Sequence, residues 1–336
     1  MLGREAVLLL ILAIAAGCQG TPAATGGGSE SPAAPTPAPT GSAGPAAFVV
    51  ASMNGLLTLD EQGRMTGRLV ELPKDTFASG PSLDPAGRRL AFSLLNISQT
   101  VQNGFGADIY LVSADGSGLR SVVTHERENT FYSGPVFDPT GRFLYFQRRS
   151  TVLRDNTAVT DDGIERLDLE TGERRRILAD GTDPTISPDG KTMVFVHLVR
   201  NQVDTMWVAD ADGTNARPFF KVKDRFFYLQ TPRFAPTGCQ LVFSGAGRTA
   251  RGGGSAGSIN AHLGIPSELY LSPCDGSSIA TIGETYDDVT PVWSRDGGRI
   301  AYALAGAVSV VTIATRETKK LAQGDAFSFG ELVWLR

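Results

Sequence analysis

The stretch that decides the fold is residues 184–196, PTISPDGKTMVFV. A short run with β-branched residues enters the turn SPDG at 187–190. In this turn proline presets φ, aspartate tolerates the turn interior and glycine takes a positive φ. The run TMVFV then leaves as a second strand. The stretch therefore predicts one β-hairpin.

The same hairpin pattern occurs four more times along the chain. Each copy has a proline-led strand, a turn that contains glycine and a second apolar strand, and the copies begin at Pro81, Pro135, Pro232 and Pro291. With Pro184 included, the leading prolines are 54, 49, 48 and 59 residues apart. Repeats of this length with an all-β pattern predict the blades of a propeller.

A second pair of strands follows each hairpin, so that each repeat supplies four strands. Several of these pairs are joined by Asp-Gly, which between two strand runs indicates a hairpin. Residues 48–71 add a second, third and fourth strand without a first, and residues 331–336 add a first strand without followers. The sequence thus predicts an all-β, six-bladed β-propeller of four-stranded antiparallel blades. The C-terminal strand joins the N-terminal blade and closes the ring, which removes exposed sheet edges.

The N-terminal residues have the composition of an export signal and a linker. Residues 1–17 predict a signal peptide, with Arg4 before a short apolar run and small residues before a cut site. The ending AAGC at 15–18 resembles the bacterial lipobox, and this resemblance implies lipidation of Cys18; a plain secretory signal is the alternative. Residues 18–46, rich in Gly, Ala, Pro, Ser and Thr, predict a disordered tether. Residues 47–336 form the propeller domain.

The repeat motifs resemble those of a known family. SPDG at 187–190, followed one hairpin later by ADGTN at 211–215, is similar to the TolB-type (WD-repeat-like) propeller repeat. The resemblance covers nearly all of residues 47–336 and implies the fold, but no particular activity. TolB proteins carry an additional N-terminal α/β domain that pairs with periplasmic and outer-membrane partners. The tether stands in its place here, so that role is not carried over.

Composition and motifs argue against several functional classes. A net charge of −4, with 31 basic and 35 acidic residues, argues against nucleic-acid binding. The histidines at 125, 197 and 262 fall in different repeats without metal-ligand spacing, and GGSAG at 253–257 lacks the strand and helix of a nucleophile elbow. We therefore assign no catalytic residue, no metal ligand and no cofactor. The acidic pairs at 161–162 and 287–288 and the arginine run at 174–176 are interpreted as solvated charge.

One face of the predicted disc collects the long connections. In a propeller the fourth-to-first and second-to-third loops share a face, and three of them are long here, at residues 95–107, 149–162 and 245–267. The connections on this face are also rich in aromatic residues, which either cap the core or anchor a partner. The binding-face candidates are Phe131, Tyr132, Phe226, Phe227, Tyr228, Tyr286, Phe327 and Phe329.

The sequence favours a monomeric, extracytoplasmic propeller that binds a protein or glycan of the cell envelope through its long-loop face. The protein would contact the membrane only through the lipid on Cys18, on the periplasmic face or at the cell surface. One alternative is an enzyme that acts on polysaccharide, a lyase or hydrolase. Its site would lie at the channel mouth, where the ionisable residues are Asp183, before Pro184, and Glu331, at the corresponding position of the C-terminal strand. A structural envelope protein is a further alternative.

The two remaining cysteines predict a disulfide. Cys239 opens the second strand of a repeat and Cys274 closes the third strand of the same repeat. In adjacent antiparallel strands, opposed Cβ atoms lie about 4.5–5.5 Å apart, and a disulfide needs about 3.5–4.5 Å. An exported protein meets an oxidising compartment that preserves the bond. Two free buried thiols are the alternative.

Overall fold

A computed structural model describes residues 44–52, 55–97, 103–155, 157–221, 226–247, 266–285, 287–324, 327 and 331–335. The expected signal peptide, nearly all of the tether, Cys18, Tyr286, Phe329 and the 253–257 motif lie outside the described residues. Within the described ranges, no helix is long and apolar enough to cross a membrane.

The described chain forms β-strands. In chain order they are β1 (Phe48–Ser52), β2 (Gly55–Leu59), β3 (Met65–Val70), β4 (Thr76–Leu83), β5 (Arg89–Asn96), β6 (Gly106–Ser113), β7 (Arg120–Val123), β8 (Thr130–Phe137), β9 (Phe143–Arg154), β10 (Thr157–Asp168), β11 (Arg174–Ala179), β12 (Gly181–Ile186), β13 (Thr192–Val199), β14 (Gln202–Asp210), β15 (Arg217–Pro218), β16 (Phe226–Phe234), β17 (Gln240–Gly247), β18 (Glu268–Pro273), β19 (Ala280–Glu284), β20 (Val292–Trp293), β21 (Arg299–Leu304), β22 (Ala307–Thr312), β23 (Glu317–Gln323) and β24 (Glu331–Trp334).

These strands form six four-stranded antiparallel units, which confirms the predicted propeller. Blade 1 has the order β24-β1-β2-β3, and blades 4, 5 and 6 are β12–β15, β16–β19 and β20–β23. Blades 2 and 3, β4–β7 and β8–β11, are joined into one eight-stranded sheet by a short parallel pairing of β6 with β8. The first strand of each blade is innermost and faces the central channel.

The C-terminal strand closes the ring as predicted. β24 pairs antiparallel with β1, in a register that runs from Phe48↔Trp334 to Ala51↔Glu331. The Trp334 side chain is buried, and its ring centroid lies 4.7 Å from that of Phe48. The first and last described strands therefore belong to one blade.

The hydrophobic core is divided among the interfaces between blades. There are six clusters of buried apolar residues in the described chain, and each joins two neighbouring blades. Fully burying one side chain such as Phe243 contributes about 1.5–3 kcal/mol. Blade-to-blade packing thus holds the ring together.

The two faces of the disc differ in their connections. The face with the first-to-second and third-to-fourth turns, here named the turn face, carries the predicted hairpin turns. Gly190 there has φ 73° and donates its N–H to the Ser187 carbonyl at 2.8 Å. The opposite face, with the second-to-third and fourth-to-first connections, is named the loop face. Glycine is needed at position 190 of the turn face because residues with a side chain are strained at a φ of 73°.

Two local expectations are corrected. The predicted long loop at 149–162 is the end of a hairpin, because β9 and β10 each run for 12 residues and pair without a bulge as far as Arg154↔Thr157. β-branched residues at 151, 152, 157, 159 and 160 favour this extension. The β pattern of residues 217–220 predicts an outer strand of that length, but β15 covers only Arg217–Pro218. The Phe219 N–H still donates to the Met206 carbonyl at 2.9 Å.

Candidate functional site

Four of the innermost strands share a bulge at the residue before the leading proline. The ladder register shifts there, and the φ of that residue is 57° at Gly80, 59° at Gly134, 49° at Asp183 and 49° at Thr231. Glycine adopts this conformation freely, whereas a β-branched residue such as Thr231 is an outlier. Blades 4 and 5 therefore hold a strained side chain at the channel where blades 2 and 3 have glycine.

Contacts at these bulges connect the blades around the channel. Glu331 accepts hydrogen bonds from the Gly80 N–H through Oε2 and from the Thr290 hydroxyl through Oε1, at 3.0 Å for the second. The Thr231 hydroxyl donates to the Val289 carbonyl at 3.0 Å, and the Thr231 N–H donates to Asp183 Oδ2 at 3.3 Å. Each of these hydrogen bonds joins one blade to the next, so these residues around the channel hold neighbouring blades together.

Gln147 makes the corresponding link between blades 3 and 4. Its Oε1 accepts from the Ser133 hydroxyl at 3.3 Å and the Thr182 hydroxyl at 2.6 Å, and its Nε2 donates to Asp162 Oδ1 at 3.2 Å. Arg149 Nε donates to the same Asp162 oxygen at 2.7 Å. This network extends the hydrogen bonds between blades from the channel toward the loop face.

Asp183 lies among charged side chains, with Arg233, Arg149 and Glu331 close enough to influence its pKa. Burial raises its pKa, while Arg233, the Thr231 N–H and Arg149 act to lower it. Burial in turn lowers the pKa of Arg233, against the nearby charges of Asp183 and Glu331. The side chains of Asp183 and Arg233 line the channel and are partly exposed to solvent there. Protein atoms surround both of them on their other sides. The arrangement is a mixed-charge channel.

A second polar chain leads from the channel mouth to blade 6. The Tyr228 hydroxyl donates to Gln230 Oε1 at 2.5 Å, and Gln230 Nε2 donates to Asp288 Oδ2 at 2.6 Å. Burial, with the charges of Asp183 and Asp288, raises the pKa of Tyr228 well above its usual range, so the phenol stays protonated and remains a donor.

The two channel-mouth candidates have different surroundings. Both oxygens of Glu331 accept hydrogen bonds from neighbouring blades, so Glu331 helps to hold these blades together. The positive charges of Arg233 and Arg149 act to lower the pKa of Asp183, against the effect of burial. Within the described ranges, no group of three or more His, Cys, Asp or Glu side chains is arranged to hold a metal ion.

Charge at the base of the β9–β10 hairpin is paired rather than solvated, which corrects the sequence interpretation. Asp161 accepts from Arg148 at 3.2 Å and from Arg176 at 3.0 Å, and buried Asp162 pairs with Arg149. Asp288 of the second acidic pair is buried as well. Sequence spacing gave no signal for these pairs, because their partners come from other strands or blades.

The aromatic candidates divide between the two interpretations. Tyr132, Phe226 and Phe327 are buried in inter-blade clusters, so they cap the core and cannot anchor a partner, which corrects their assignment to the binding face. Phe131 and Tyr228 are half-buried. Phe227 is 54% exposed on the loop face.

Exposed apolar side chains gather on the loop face. Five large apolar side chains are exposed in the described part of the chain, and four of them lie at strand ends on this face. They belong to the consecutive blades 2 to 5 and are Ile97, Leu153, Val199 and Phe227. The fifth, Met65, begins the outer strand of blade 1 on the turn face.

The two cysteines of blade 5 lie side by side at the turn face. Cys239 and Cys274 flank the Gln240↔Pro273 pair, with their Cα atoms 5.2 Å apart and their sulfurs joined. The Cys274 N–H also donates to the Cys239 carbonyl at 3.2 Å.

No protein-family model and no curated protein matches the sequence. Solved structures do match. TolB from Acinetobacter baumannii is 15% identical with a TM-score of 0.63, over 86% of this chain and 66% of that chain, so part of that TolB lies outside the match. A chain of a nidogen/laminin complex is 15% identical with a TM-score of 0.61, over 86% of this chain and 98% of that chain. A putative TolB from Agrobacterium tumefaciens is 19% identical with a TM-score of 0.56, over 76% of this chain and 88% of that chain. At these identities the likeness establishes the fold alone: the chain has a TolB-like β-propeller fold.

Proposed function

We propose that this protein is a binding module of the cell envelope that recognises a partner protein through its loop face. The observation that carries the proposal is that four of the five exposed large apolar side chains among the described residues lie on that face. They are Ile97, Leu153, Val199 and Phe227. Apolar side chains surrounded by polar groups are the usual anchors of protein interfaces. Hydrogen-bonding groups of the channel mouth, such as Tyr228 and Arg149, lie on the same side and supply a polar rim.

The chemistry of the anchors favours a protein over a glycan. Three of the four exposed side chains are aliphatic, and only Phe227 offers a flat ring of the kind on which a sugar stacks. Aliphatic side chains bury well against the apolar side chains of another protein.

The cellular location of the protein is part of the proposal. Residues 1–17 would direct export, Cys18 would carry the lipid, and residues 18–46 would hold the propeller away from the membrane. The loop face could then meet other envelope proteins.

Replacing Cys18 with serine should abolish lipid labelling and membrane retention, and retention equal to that of the wild type would contradict the anchor.

A photo-crosslinking experiment tests the face. A photoreactive amino acid is introduced singly at Leu153, Phe227 or Met65 in the exported protein. Met65 is the matched control because it is as exposed as Phe227, at 54%, but lies on the turn face. We expect discrete protein adducts from the first two positions and none above background from Met65.

Either of two crosslinking results would contradict the proposal. Equal adducts from all three positions would mean that contact is not confined to the loop face. Adducts from Met65 alone would move the interface to the turn face. Saccharide retention by the purified protein that is lost in Phe227→Ser would favour the glycan alternative.

A further inference from the structure

Asp183 and Arg233 bring opposite charges into the channel without forming an ion pair. In the described part of the chain, no nitrogen of the Arg233 side chain lies within 4.0 Å of an Asp183 side-chain oxygen. Asp183 Oδ2 accepts from the Thr231 N–H at 3.3 Å, and Arg233 Nη1 donates to the Pro232 carbonyl at 2.8 Å. A carboxylate accepts several hydrogen bonds and a guanidinium donates several. Both side chains therefore keep hydrogen-bonding capacity that the described protein atoms leave unused.

Both side chains face the axis of the ring. Asp183 belongs to blade 4, Arg233 to blade 5 and Glu331 to blade 1. Burial has the largest effect on the pKa of both Asp183 and Arg233, and the charge of Glu331 also influences both. Blades 1 and 4 lie opposite each other in a six-bladed ring, so Glu331 acts on Asp183 across the channel. Because Asp183 and Arg233 are also partly exposed, a molecule inside the channel can reach both charges.

The channel has open space beside Asp183. The Ser133 and Thr182 hydroxyls both donate to Gln147 Oε1, at 3.3 and 2.6 Å. The residues that follow them in the chain, Gly134 and Asp183, are therefore neighbours at the channel. A Cβ atom placed on Gly134 would meet no other atom of the described chain within 4 Å. Space for the atoms of a ligand is thus present next to the Asp183 carboxylate.

The charges around this space determine which ligand it can take. Burial raises the pKa of Asp183 and lowers that of Arg233, because each charged form loses hydration. A simple cation beside Asp183 would be repelled by Arg233 and Arg149, and a simple anion beside Arg233 would be repelled by Asp183 and Glu331. A molecule with both a positive and a negative group would instead replace the lost hydration of both side chains with charge-assisted hydrogen bonds.

We propose that the channel binds a small zwitterion, an amino acid, whose ammonium group contacts Asp183 and whose carboxylate contacts Arg233. The guanidinium offers parallel N–H donors that match the two oxygens of a carboxylate. Asp183 is fixed in place by the bulge of β12, where its φ is 49°. Such strained positions are commonly found at binding sites. The site is separate from the exposed apolar side chains of the loop face, so it adds to the proposed function and does not depend on it.

Three probes measure the distance between the two charges of the site. They are glycine, β-alanine and γ-aminobutyrate, in which the ammonium and carboxylate groups are progressively further apart. Acetate and methylammonium, which carry one charge each, are the controls. Binding to the full chain is measured by calorimetry. We expect one of the three amino acids to bind about tenfold more tightly than either control, or better, because it pairs with both Asp183 and Arg233.

Variants locate the binding site. Asp183→Asn removes the charge but keeps a residue type that tolerates a positive φ, and it should weaken binding of that amino acid by about tenfold or more. Asp180→Asn is the matched control, because Asp180 is exposed in the same blade with a φ of 53°, and it should bind as the wild type does. Gly134→Asn, whose side chain would fill the open space, should weaken binding as well.

The melting temperature of each variant shows whether it folds, and Arg233→Gln serves in place of Asp183→Asn if that variant does not. The proposal is overturned if no amino acid of the series binds more tightly than acetate and methylammonium. Equal binding by the Asp183→Asn and Asp180→Asn variants would overturn it too. In both cases crosslinking at Leu153 and Phe227 still tests the proposed function independently.

Discussion

The turn face and the loop face are built from the same strands, yet they differ in regularity. The turn-face glycines Gly87, Gly141, Gly190, Gly238 and Gly297 all have φ between 70° and 75°. On the loop face each blade ends differently, from the long hairpin of blade 3 to the shorter β13–β14 hairpin of blade 4. The repeated motif encodes a uniform scaffold, and the departures from repetition carry exposed apolar groups and paired charge.

The largest expected effect comes from breaking the scaffold that both faces share. Deleting residues 331–336 removes β24, leaves β1 unpaired on one side and removes Trp334 from its cluster. Loss of a buried Trp alone costs about 3–5 kcal/mol, against about 5–15 kcal/mol for a whole domain. We expect loss of the cooperative thermal transition, measured by calorimetry. Trp334→Phe, which keeps an aromatic ring, is the control, and an unchanged melting temperature after the deletion would contradict ring closure.

Cutting the Cys239–Cys274 link tests the turn face of blade 5. The 35-residue separation predicts a stabilisation of about 3–4 kcal/mol on the chain-entropy account. The double change Cys239→Ser with Cys274→Ser should lower the melting temperature, and reduction of the wild type should match it. Two alkylatable thiols in the natively exported protein, or equal melting of oxidised and reduced forms, would refute the disulfide.

Neighbouring residues at the start of β16 separate core from surface. Phe226 is buried and Phe227 is exposed. Phe226→Ser should lower the free energy of unfolding by about 3 kcal/mol or more, while Phe227→Ser should change it by less than about 0.5 kcal/mol. Denaturant titration measures both. Similar losses in the two variants would mean that Phe227 is also a core residue.

The smallest expected effect is acid sensitivity at the loop face. Burial acts to raise the pKa of Glu126, but hydrogen bonds from Tyr132 and Arg148 outweigh it and hold the pKa at about 2, below the usual 4.5. Its stabilising contribution is therefore present above about pH 4.5 and is lost as the pH falls toward 2. The group is partly exposed, so we expect no more than about 1 kcal/mol. Glu126→Gln should remove this part of the pH dependence of melting, and an identical acid profile would contradict it.

Sequence repetition was sufficient to predict the propeller, its antiparallel blades and its closure by β24. Each of these follows from local strand and turn patterns repeated at a blade-length spacing. The site was predicted less completely. The face was inferred from loop lengths, but Tyr132, Phe226 and Phe327 were grouped with Phe227, because alternation along a strand does not reveal which ring a neighbouring blade covers.

The hydrogen bonds between blades around the channel, and the charge pairs of blade 3, could not be inferred from the sequence for a related reason. Glu331 meets Gly80 and Thr290, and Thr182 meets Gln147, only after the ring has formed. The bulge before four of the five leading prolines likewise has no clear sequence signature, since Gly, Asp and Thr all occupy the position. These features depend on contacts between blades.

Amide hydrogen exchange of the intact protein, alone and mixed with an envelope extract, tests the central claim most directly. We predict that exchange slows at the loop-face ends of β9, β10, β13 and β16 and does not change in the turns that contain Gly87, Gly141 and Gly190. Slower exchange at those turns, with the loop-face ends unaffected, would contradict recognition through the loop face.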